Sequence, residues 1–200
     1  PIVDASRRIC DAGAQPNPRT AVDIKKAIIT AAGKNQRTLP LQTVVDHDGA
    51  PKTALRIIIE EVLHAGVDHI AVVVCAGDQT AYAVAAGSHA KRLQFVEQPE
   101  PLGYGHAVWC AREIVGNEPF ALLLPDVLVQ AEKSCLAQMV GAYEGLESKA
   151  NLIAVEEVPG DRTHMYGVVG MGERKGAAFR ITGMVEKPAK GKAPSNRIIT

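Results

Sequence analysis

The 200-residue sequence predicts an α/β fold of Rossmann-like type: a doubly wound, mostly parallel sheet with mixed edge strands. Short continuous apolar runs alternate with helical patterns over about the first 150 residues, which is typical of a parallel sheet covered by helices. Three further strand-like runs then follow without long helices between them, and these predict the mixed edge. The abundant small and aliphatic residues, within a hydrophobic share of 46%, suit such a buried sheet.

The strands are predicted from apolar runs that are bounded by turn residues. The first four cover 26–30, 69–75, 93–96 and 120–124, and three more cover 151–155, 166–171 and 179–186. The first two are short and rich in aliphatic residues, as expected for strands that are buried on both faces.

Helices are predicted between these strands. The segment 53–65 has apolar residues at positions 55, 58, 59, 62 and 63, the spacing of an amphipathic helix, and Gly66 ends it. Asp78 is predicted to cap a helix over 78–88, and further helices cover 106–115 and 134–147. The polar segment 33–49 is predicted to be a loop.

Two regions are predicted along the chain. Residues 1–24 are expected to be an N-terminal leader without regular structure, because Pro16, Asn17 and Pro18 interrupt any helix there. Residues 25–200 are expected to form one α/β domain, and no internal repeat divides it.

Composition and charge exclude several classes of protein. The 22 basic and 22 acidic side chains balance to a formal net charge of zero, so a disordered chain and a nucleic-acid coat are both disfavoured. No segment approaches the roughly 20 apolar residues of a membrane span. The four cysteines contain no C-x-x-C pair, which predicts reduced thiols in a cytoplasmic protein.

In an open parallel sheet, ligands bind beyond the carboxyl ends of the strands. That rule selects four places: 31–33, 98–105, 125–126 and 186–187. The loop from Gly33 to Arg37 offers backbone N–H groups and a guanidinium to phosphate oxygens, although a solvated loop would look the same. It contains neither the P-loop motif nor the dinucleotide motif, which disfavours an ATPase and a dehydrogenase.

The other three places leave similar alternatives open. Asp126 is either a Mg²⁺ ligand or a turn or capping carboxylate. Glu186 and Lys187 either bind a sugar hydroxyl and a phosphate or form an exposed charged turn. His106, near a helix start, is interpreted as a structural group rather than as a base.

Taken together, these segments resemble the sugar-1-phosphate nucleotidyltransferases, and among them the bacterial UTP–glucose-1-phosphate uridylyltransferases. The resemblance covers most of the chain and implies the nucleotide-diphospho-sugar transferase fold. It is carried by KAIITAAG at 26–33, EPLGYGHAV at 100–108, LLPD at 123–126, IAVEEVP at 153–159, YGVV at 166–169, VEKP at 185–188 and APSN at 193–196.

The resemblance implies a site for the nucleotide. The backbone at Ala32 and Gly33, the side chain of Gln98 and the backbone at Gly103 would hold the uracil base of UTP. An amide side chain suits this task because it offers both a donor and an acceptor to the edge of a base.

The resemblance also implies the catalytic and sugar-binding groups. Arg37 would face the triphosphate, and Asp126 would hold the Mg²⁺ cofactor. Gly167 and Glu186 would contact glucose hydroxyls, and Lys187 would bind the phosphate of glucose 1-phosphate. Arg37, Asp126 and Lys187 are the predicted catalytic residues. The implied reaction is in-line attack of the sugar phosphate on UTP, which gives UDP-glucose and pyrophosphate.

Three departures from the family pattern bear on activity. The phosphate loop of the family is G-x-G-T-R, and Asn35 stands here at the second glycine, which leaves the backbone less freedom. The family's following P-K-x-M-L-P motif has no counterpart here, so no residue matches its phosphate-binding lysine; Lys34 and Lys52 are two candidates to replace it. The sequence ends at Thr200, so the C-terminal part of the family, with a second metal-binding aspartate, is expected to be lacking.

These departures keep two alternatives open. One is a catalytically impaired relative that binds a nucleotide or a sugar phosphate with little turnover. The other is the same reaction with another nucleotide, such as dTTP, or another sugar. In each case the expected partners are small molecules, without nucleic acid or membrane, and the resemblance allows a homo-oligomer.

Overall fold

The computed structural model describes residues 2–4, 23–33, 37–146, 150–176 and 178–199. Within the predicted domain of residues 25–200, contacts group the described residues into two compact units that meet in sequence between Val140 and Gly141. Of the predicted leader, residues 2–4 form a short strand and 5–22 lie outside the described residues. Across the described residues, none of the helices is long and apolar enough to cross a bilayer.

The first unit contains eight strands among its described residues. They are β1 (Ile2–Asp4), β2 (Lys26–Thr30), β3 (Thr43–Val45), β4 (Pro51–Thr53), β5 (His69–Cys75), β6 (Leu93–Gln98), β7 (Phe120–Leu123) and β8 (Leu128–Gln130). The α-helices among the described residues are α1 (Ala54–His64), α2 (Gln79–Ala86), α3 (Tyr104–Cys110), α4 (Arg112–Val115) and α5 (Cys135–Glu144). The same part of the chain also contains 3₁₀ helices at Leu39–Leu41, Gly87–Arg92 and Gly160–Met165.

A parallel sheet forms the centre of the first unit and confirms the predicted fold class. Its strand order is β6-β5-β2-β7, and Lys26 pairs with both His69 and Phe120 in parallel register. Strands β2 and β5 are almost wholly buried, as their uninterrupted aliphatic sequences require. The carboxyl ends of all four strands therefore lie at one edge of the sheet.

Helices cover this sheet through apolar faces. The α1 stripe of Leu55, Ile58, Ile59 and Val62 is buried, which confirms the predicted amphipathic helix. Thr53 caps it by accepting a hydrogen bond from the Arg56 N–H at 3.2 Å. A second cluster joins the β2 and β5 side chains to residues of the α3–α4 region.

Several local predictions in the first unit are wrong. Asp78 stands before α2, but its side chain does not cap the helix; it forms an ion pair with Arg37 instead. The predicted helix 106–115 begins earlier and is interrupted at Ala111, so it forms α3 and α4. The predicted loop 33–49 contains a 3₁₀ helix and β3, which pairs with β4 in a hairpin. These short, polar elements lack the apolar pattern that marks longer ones.

The second unit contains an antiparallel sheet. Its strands are β9 (Val155–Glu157), β10 (Gly167–Lys175), β11 (Ala178–Glu186) and β12 (Arg197–Ile199), in the order β11-β10-β12-β9. The predicted strands at 166–171 and 179–186 are confirmed, whereas the one at 151–155 is displaced to β9, which pairs with β12. These strands pair with one another rather than forming the predicted mixed edge of the parallel sheet.

The cysteines of the described residues agree with the predicted reduced state. Cys75, Cys110 and Cys135 are free thiols, and each is partly buried. Cys10 lies outside the described residues.

Candidate functional site

A cavity of about 340 Å³ opens at the carboxyl ends of the parallel strands of the first unit. The four residues predicted to bind the base, Ala32, Gly33, Gln98 and Gly103, all line it. Strand β2 leads into the first two, β6 ends at Gln98, and Gly103 precedes α3. The structure thus brings together four positions that are widely separated in sequence, in the place that the sheet rule predicts.

The amide of Gln98 is firmly held in this cavity. The residue is only 6% exposed, and its Nε2 donates to the backbone oxygen of Gly103 at 3.1 Å. Nε2 also lies 3.0 Å from Nδ1 of His106. Because a carbonyl oxygen can only accept, the Gly103 contact identifies which end of the amide is the nitrogen.

Gly103 shapes the turn between β6 and α3. Its φ of +103° lies in the region that glycine adopts far more readily than other residues. In this conformation its carbonyl accepts both the Ala107 N–H of α3, at 3.2 Å, and the Gln98 amide. The glycine is therefore needed for the backbone path that anchors Gln98.

The backbone after β2 forms another wall of the cavity. The Ala31 N–H donates to the Val73 oxygen at 2.7 Å and so extends the pairing of β2 with β5. The Cys75 thiol donates to the Ala32 oxygen at 3.2 Å. Ala32 is buried and Gly33 is exposed. This wall is rigid and made of backbone, which suits recognition of a flat base.

A second cavity, of about 240 Å³, adjoins the first and shares Ala32, Gln98 and Pro101 with it. Arg37 lines this second cavity, and its guanidinium lies 2.6 Å from Oδ1 of Asp78. The hydrogen bond to Asp78 raises the pKa of Arg37 further above its ordinary value. The arginine is therefore a fixed positive charge beside the base cavity, and a carboxylate already holds it.

Tyr82 of α2 contacts the last residue of the predicted phosphate loop and the backbone that precedes the loop. Its hydroxyl lies 2.6 Å from the Arg37 oxygen and 3.0 Å from the Ala31 oxygen. The Arg37 N–H also donates to the Gly33 oxygen at 2.9 Å. Tyr82 is fully buried, and burial raises the pKa of its hydroxyl, so the group remains a donor.

Lys52, one of the two candidates to replace the family's phosphate-binding lysine, forms ion pairs with three carboxylates. Nζ of Lys52 lies 2.5 Å from Asp46, 2.9 Å from Asp48 and 2.9 Å from Glu60, and the side chain is 10% exposed. Hydrogen bonds to these carboxylates raise the pKa of Lys52. Its charge is thus more than balanced by these carboxylates, which disfavours Lys52 as a phosphate-binding group. Lys34, together with Asn35 and Gln36, lies outside the described residues.

Asp126 follows Leu124 and Pro125, which line the base cavity, and it is half-buried. No group of three or more His, Cys, Asp or Glu side chains among the described residues is arranged to hold a metal ion. A single carboxylate beside a nucleotide cavity still fits Mg²⁺, which usually binds one or two carboxylates together with substrate phosphates and water.

The predicted sugar-phosphate residues lie together in the second unit. Gly167 pairs with Glu186 across β10 and β11, and a Cβ at Gly167 would lie 3.0 Å from Oε2 of Glu186. Lys187 has a φ of +45°, rare for a residue with a side chain, and its N–H donates to the Tyr166 oxygen at 3.0 Å. Glu186 and Lys187 are largely exposed, at 74% and 66% of the side chain.

Two residues of the first unit were missed as parts of the site, and a third, His106, was interpreted only as a structural group. Asp78, which precedes α2, and Tyr82 of α2 contact Arg37, and His106 contacts the Gln98 amide. Only the last had a signal in the sequence, since it lies within the segment 100–108. The other two contacts join residues that are distant in the chain.

Comparisons with known proteins show which family the chain resembles. A sequence model described as nucleotidyl transferase matches residues 26–200. The UTP–glucose-1-phosphate uridylyltransferase of Bacillus subtilis (strain 168) is 36% identical over 202 residues, covering 88% of this chain and 68% of that protein. The enzyme of the same name from Staphylococcus haemolyticus (strain JCSC1435) is 34% identical over 88% of this chain and 69% of its own.

Solved structures show the same likeness. A UTP-bound UGPase from Acinetobacter baumannii superposes with a TM-score of 0.72 at 30% identity, over 88% of this chain and 72% of that one. A UDP-glucose pyrophosphorylase complexed with UDP-glucose gives a TM-score of 0.69 at 28% identity, over 88% and 74% of the two chains. These findings confirm the resemblance that the sequence motifs indicated, and the chain belongs to the nucleotidyl transferase family.

Proposed function

We propose that this protein transfers the uridylyl group of UTP to glucose 1-phosphate and so makes UDP-glucose and pyrophosphate. The observation that carries the proposal is the cavity in which Ala32, Gly33, Gln98 and Gly103 meet. The names of the relatives support the choice of substrates. We also propose that the protein works in the cytoplasm, where UTP is made.

The base cavity would select a pyrimidine with an imide edge. The anchored Gln98 amide offers its oxygen to the N3–H of uracil, and backbone N–H groups beside Ala32 and Gly33 offer donors to the uracil oxygens. Thymine differs from uracil by one methyl group, worth only about 1–3 kcal/mol of discrimination, so dTTP is the alternative nucleotide.

Catalysis would need alignment and charge neutralisation rather than a covalent nucleophile. A phosphate oxygen of glucose 1-phosphate attacks the α-phosphorus of UTP, and the bond to the bridging oxygen breaks as pyrophosphate leaves. Arg37 would donate to the phosphates, and Lys187 would neutralise the sugar phosphate, with Glu186 and Gly167 at the sugar. Asp126 would hold Mg²⁺, which supplies charge neutralisation to the phosphate oxygens when it is bound.

The test is a coupled assay of pyrophosphate release with UTP, glucose 1-phosphate and Mg²⁺. We expect pyrophosphate to be released only when all three components are present. Replacing UTP with CTP, or glucose 1-phosphate with galactose 1-phosphate, provides the mismatched controls. Release that is equally fast with CTP would contradict the assignment of the base cavity.

A second candidate is a nucleotide-binding relative with little turnover. It is favoured by two observations: Lys52 is engaged by three carboxylates, and Arg37 is held by Asp78. In that case UMP, UDP and UTP bind within about tenfold of one another, because few charge-assisted contacts remain for the outer phosphates. Calorimetric titration with the three nucleotides, in parallel with the assay, separates the two candidates.

A further inference from the structure

His106 lies where it can control the amide that meets the base. It belongs to the first turn of α3 and is half-buried, and its Nδ1 is 3.0 Å from Nε2 of Gln98. The Gln98 amide nitrogen carries two hydrogens. The Gly103 oxygen takes one of them, and the His106 ring nitrogen stands in the position to take the other.

The neighbouring hydrogen bonds select one tautomer of the His106 ring. Nδ1 also lies 3.1 Å from the Glu100 oxygen, so a hydrogen on Nδ1 would have a possible acceptor there. That oxygen accepts the Leu102 N–H at 2.8 Å, so it keeps a donor when Nδ1 of His106 carries no hydrogen. The second hydrogen of the Gln98 amide has no other acceptor among the described residues. The largest number of these groups is hydrogen-bonded when Nδ1 of His106 carries no hydrogen and accepts one from the Gln98 amide.

The other ring nitrogen is compatible with this tautomer. Nε2 of His106 then carries the hydrogen, and it lies 3.8 Å from the sulfur of Cys110 one turn further along α3. A thiol sulfur is a weak acceptor, which suffices at a partly buried position. The ring is thus held at both nitrogens.

With both amide hydrogens engaged, Gln98 presents its oxygen to the cavity. An acceptor there matches the N3–H of uracil. It opposes the bare N3 of cytosine, which has a lone pair at the same place on the ring. A rotation of the amide by half a turn would reverse this preference, and it would also place the amide oxygen against the Gly103 oxygen and Nδ1 of His106.

We infer that His106 is a positioning residue that sets the preference for uracil over cytosine, by accepting the second N–H of Gln98 through Nδ1. The inference rests on the proposed uridine nucleotide site, and it adds a residue that does not touch the nucleotide. In this role His106 transfers no proton and does not contact the reacting phosphates.

Two substitutions test this role by calorimetric titration with UTP and with CTP. His106→Leu removes the acceptor, whereas His106→Asn keeps an oxygen close to the place of Nδ1. We expect the UTP-to-CTP affinity ratio to fall about tenfold in the leucine variant, the effect of one partly buried hydrogen bond, and to stay within about twofold in the asparagine variant. Circular dichroism shows whether both variants fold.

An unchanged ratio in His106→Leu, or an equal loss for both nucleotides in both variants, would show that the residue is merely structural. The proposed function fails separately, if the unaltered protein binds neither uridine nor cytidine nucleotides. Nitrogen-15 NMR of the ligand-free protein then still tests the hydrogen bond from Gln98 to Nδ1 of His106, on which the inference depends. We expect the His106 signals of a neutral ring with the hydrogen on Nε2, and a hydrogen on Nδ1 at neutral pH would overturn it.

Discussion

The hydroxyl of Tyr82 lies 2.6 Å from the backbone oxygen of Arg37 and 3.0 Å from that of Ala31. One buried side chain of α2 therefore links the last residue of the predicted phosphate loop to the backbone that precedes the loop. Asp78, four residues earlier in the chain, holds the side chain of the same arginine. Helix α2 and the residue before it thus form a clamp on this loop.

Tyr82→Phe tests the clamp. The change removes the hydroxyl hydrogen that the buried Ala31 oxygen and the partly buried Arg37 oxygen share, so we expect the free energy of unfolding to fall by about 1–3 kcal/mol. UTP affinity should fall more than UMP affinity, because the loop is predicted to meet the phosphates. Urea denaturation and calorimetry measure the two effects. Tyr143→Phe is the control, since the Tyr143 hydroxyl has no hydrogen bond to another described residue, and an equal effect there would refute the clamp.

Arg37→Gln tests the predicted phosphate contact. We expect UTP affinity to fall about tenfold, the scale of one charge-assisted hydrogen bond, with little change for UMP. Asp78→Asn should act in the opposite direction, because it releases the guanidinium from a competing carboxylate. If both substitutions lower UTP affinity equally, the ion pair itself, and not the free arginine, is what the site requires.

Asp126→Asn tests the predicted metal ligand. Turnover should fall by about a hundredfold or more, the scale for losing one electrostatic stabiliser, while the melting temperature changes little. Initial rates across a Mg²⁺ titration provide the measurement. Asp161→Asn removes an exposed carboxylate of the second unit and should keep the full rate. A wild-type rate for Asp126→Asn at saturating Mg²⁺ would remove Asp126 from the metal site.

Glu186→Gln tests the sugar side. The affinity for glucose 1-phosphate should fall by about 1.5–3 kcal/mol, the contribution of a hydrogen bond to a charged group, and UTP affinity should stay nearly unchanged. Glu173→Gln, an exposed carboxylate on β10 of the same sheet, is the matched control. Equal losses for both ligands would mean that Glu186 supports the sheet instead.

The lowered pKa of Asp46 predicts that the protein loses stability in acid. Burial alone would raise its pKa, but hydrogen bonds from Lys52 and His47 outweigh it and lower the pKa to about 2. The pKa of an aspartate in an unfolded chain is about 3.9. The stabilisation is therefore complete above about pH 4 and is lost as the pH falls towards about 2.

The substitution Asp46→Asn isolates this effect. It should lower the free energy of unfolding by about 1.5–3 kcal/mol at pH 7 and make little difference near pH 2. Asp48→Asn, at the more exposed partner of Lys52, should have a smaller effect. Urea denaturation at a series of pH values gives the comparison, and a difference that persists unchanged at pH 2 would contradict the assignment.

The sequence predicted the parts of the fold that depend on continuous apolar runs. Strands β2 and β5 lie close to their predicted positions, because a strand that is buried on both faces must be apolar throughout. The partly exposed edge strands β6 and β7 also lie close to the apolar runs that predicted them. The β3–β4 hairpin escaped prediction because its strands have three residues each, and one of them contains Pro51. Such short strands form because they pair with each other, and this pairing leaves no hydrophobic pattern in either segment that could predict it.

The candidate site shows the same division. The sheet rule and the family motifs together placed Ala32, Gly33, Gln98 and Gly103 in one cavity, where the structure has them. The role of Asp78 was predicted wrongly because a residue before a helix is a good cap by local criteria. The fold brings Arg37 close to Asp78, and the carboxylate forms an ion pair with the arginine instead of capping the helix.

The strand order of the parallel sheet also has a consequence for how the chain folds during synthesis. Strand β2 is central, and one of its two partners, β7, begins only at Phe120. A ribosome must therefore release most of the first unit before β2 can acquire its second neighbour. Pairings between such distant segments make folding slow and leave apolar strand edges exposed meanwhile. A nascent chain that stalls before Phe120 should consequently be prone to aggregation or dependent on chaperones.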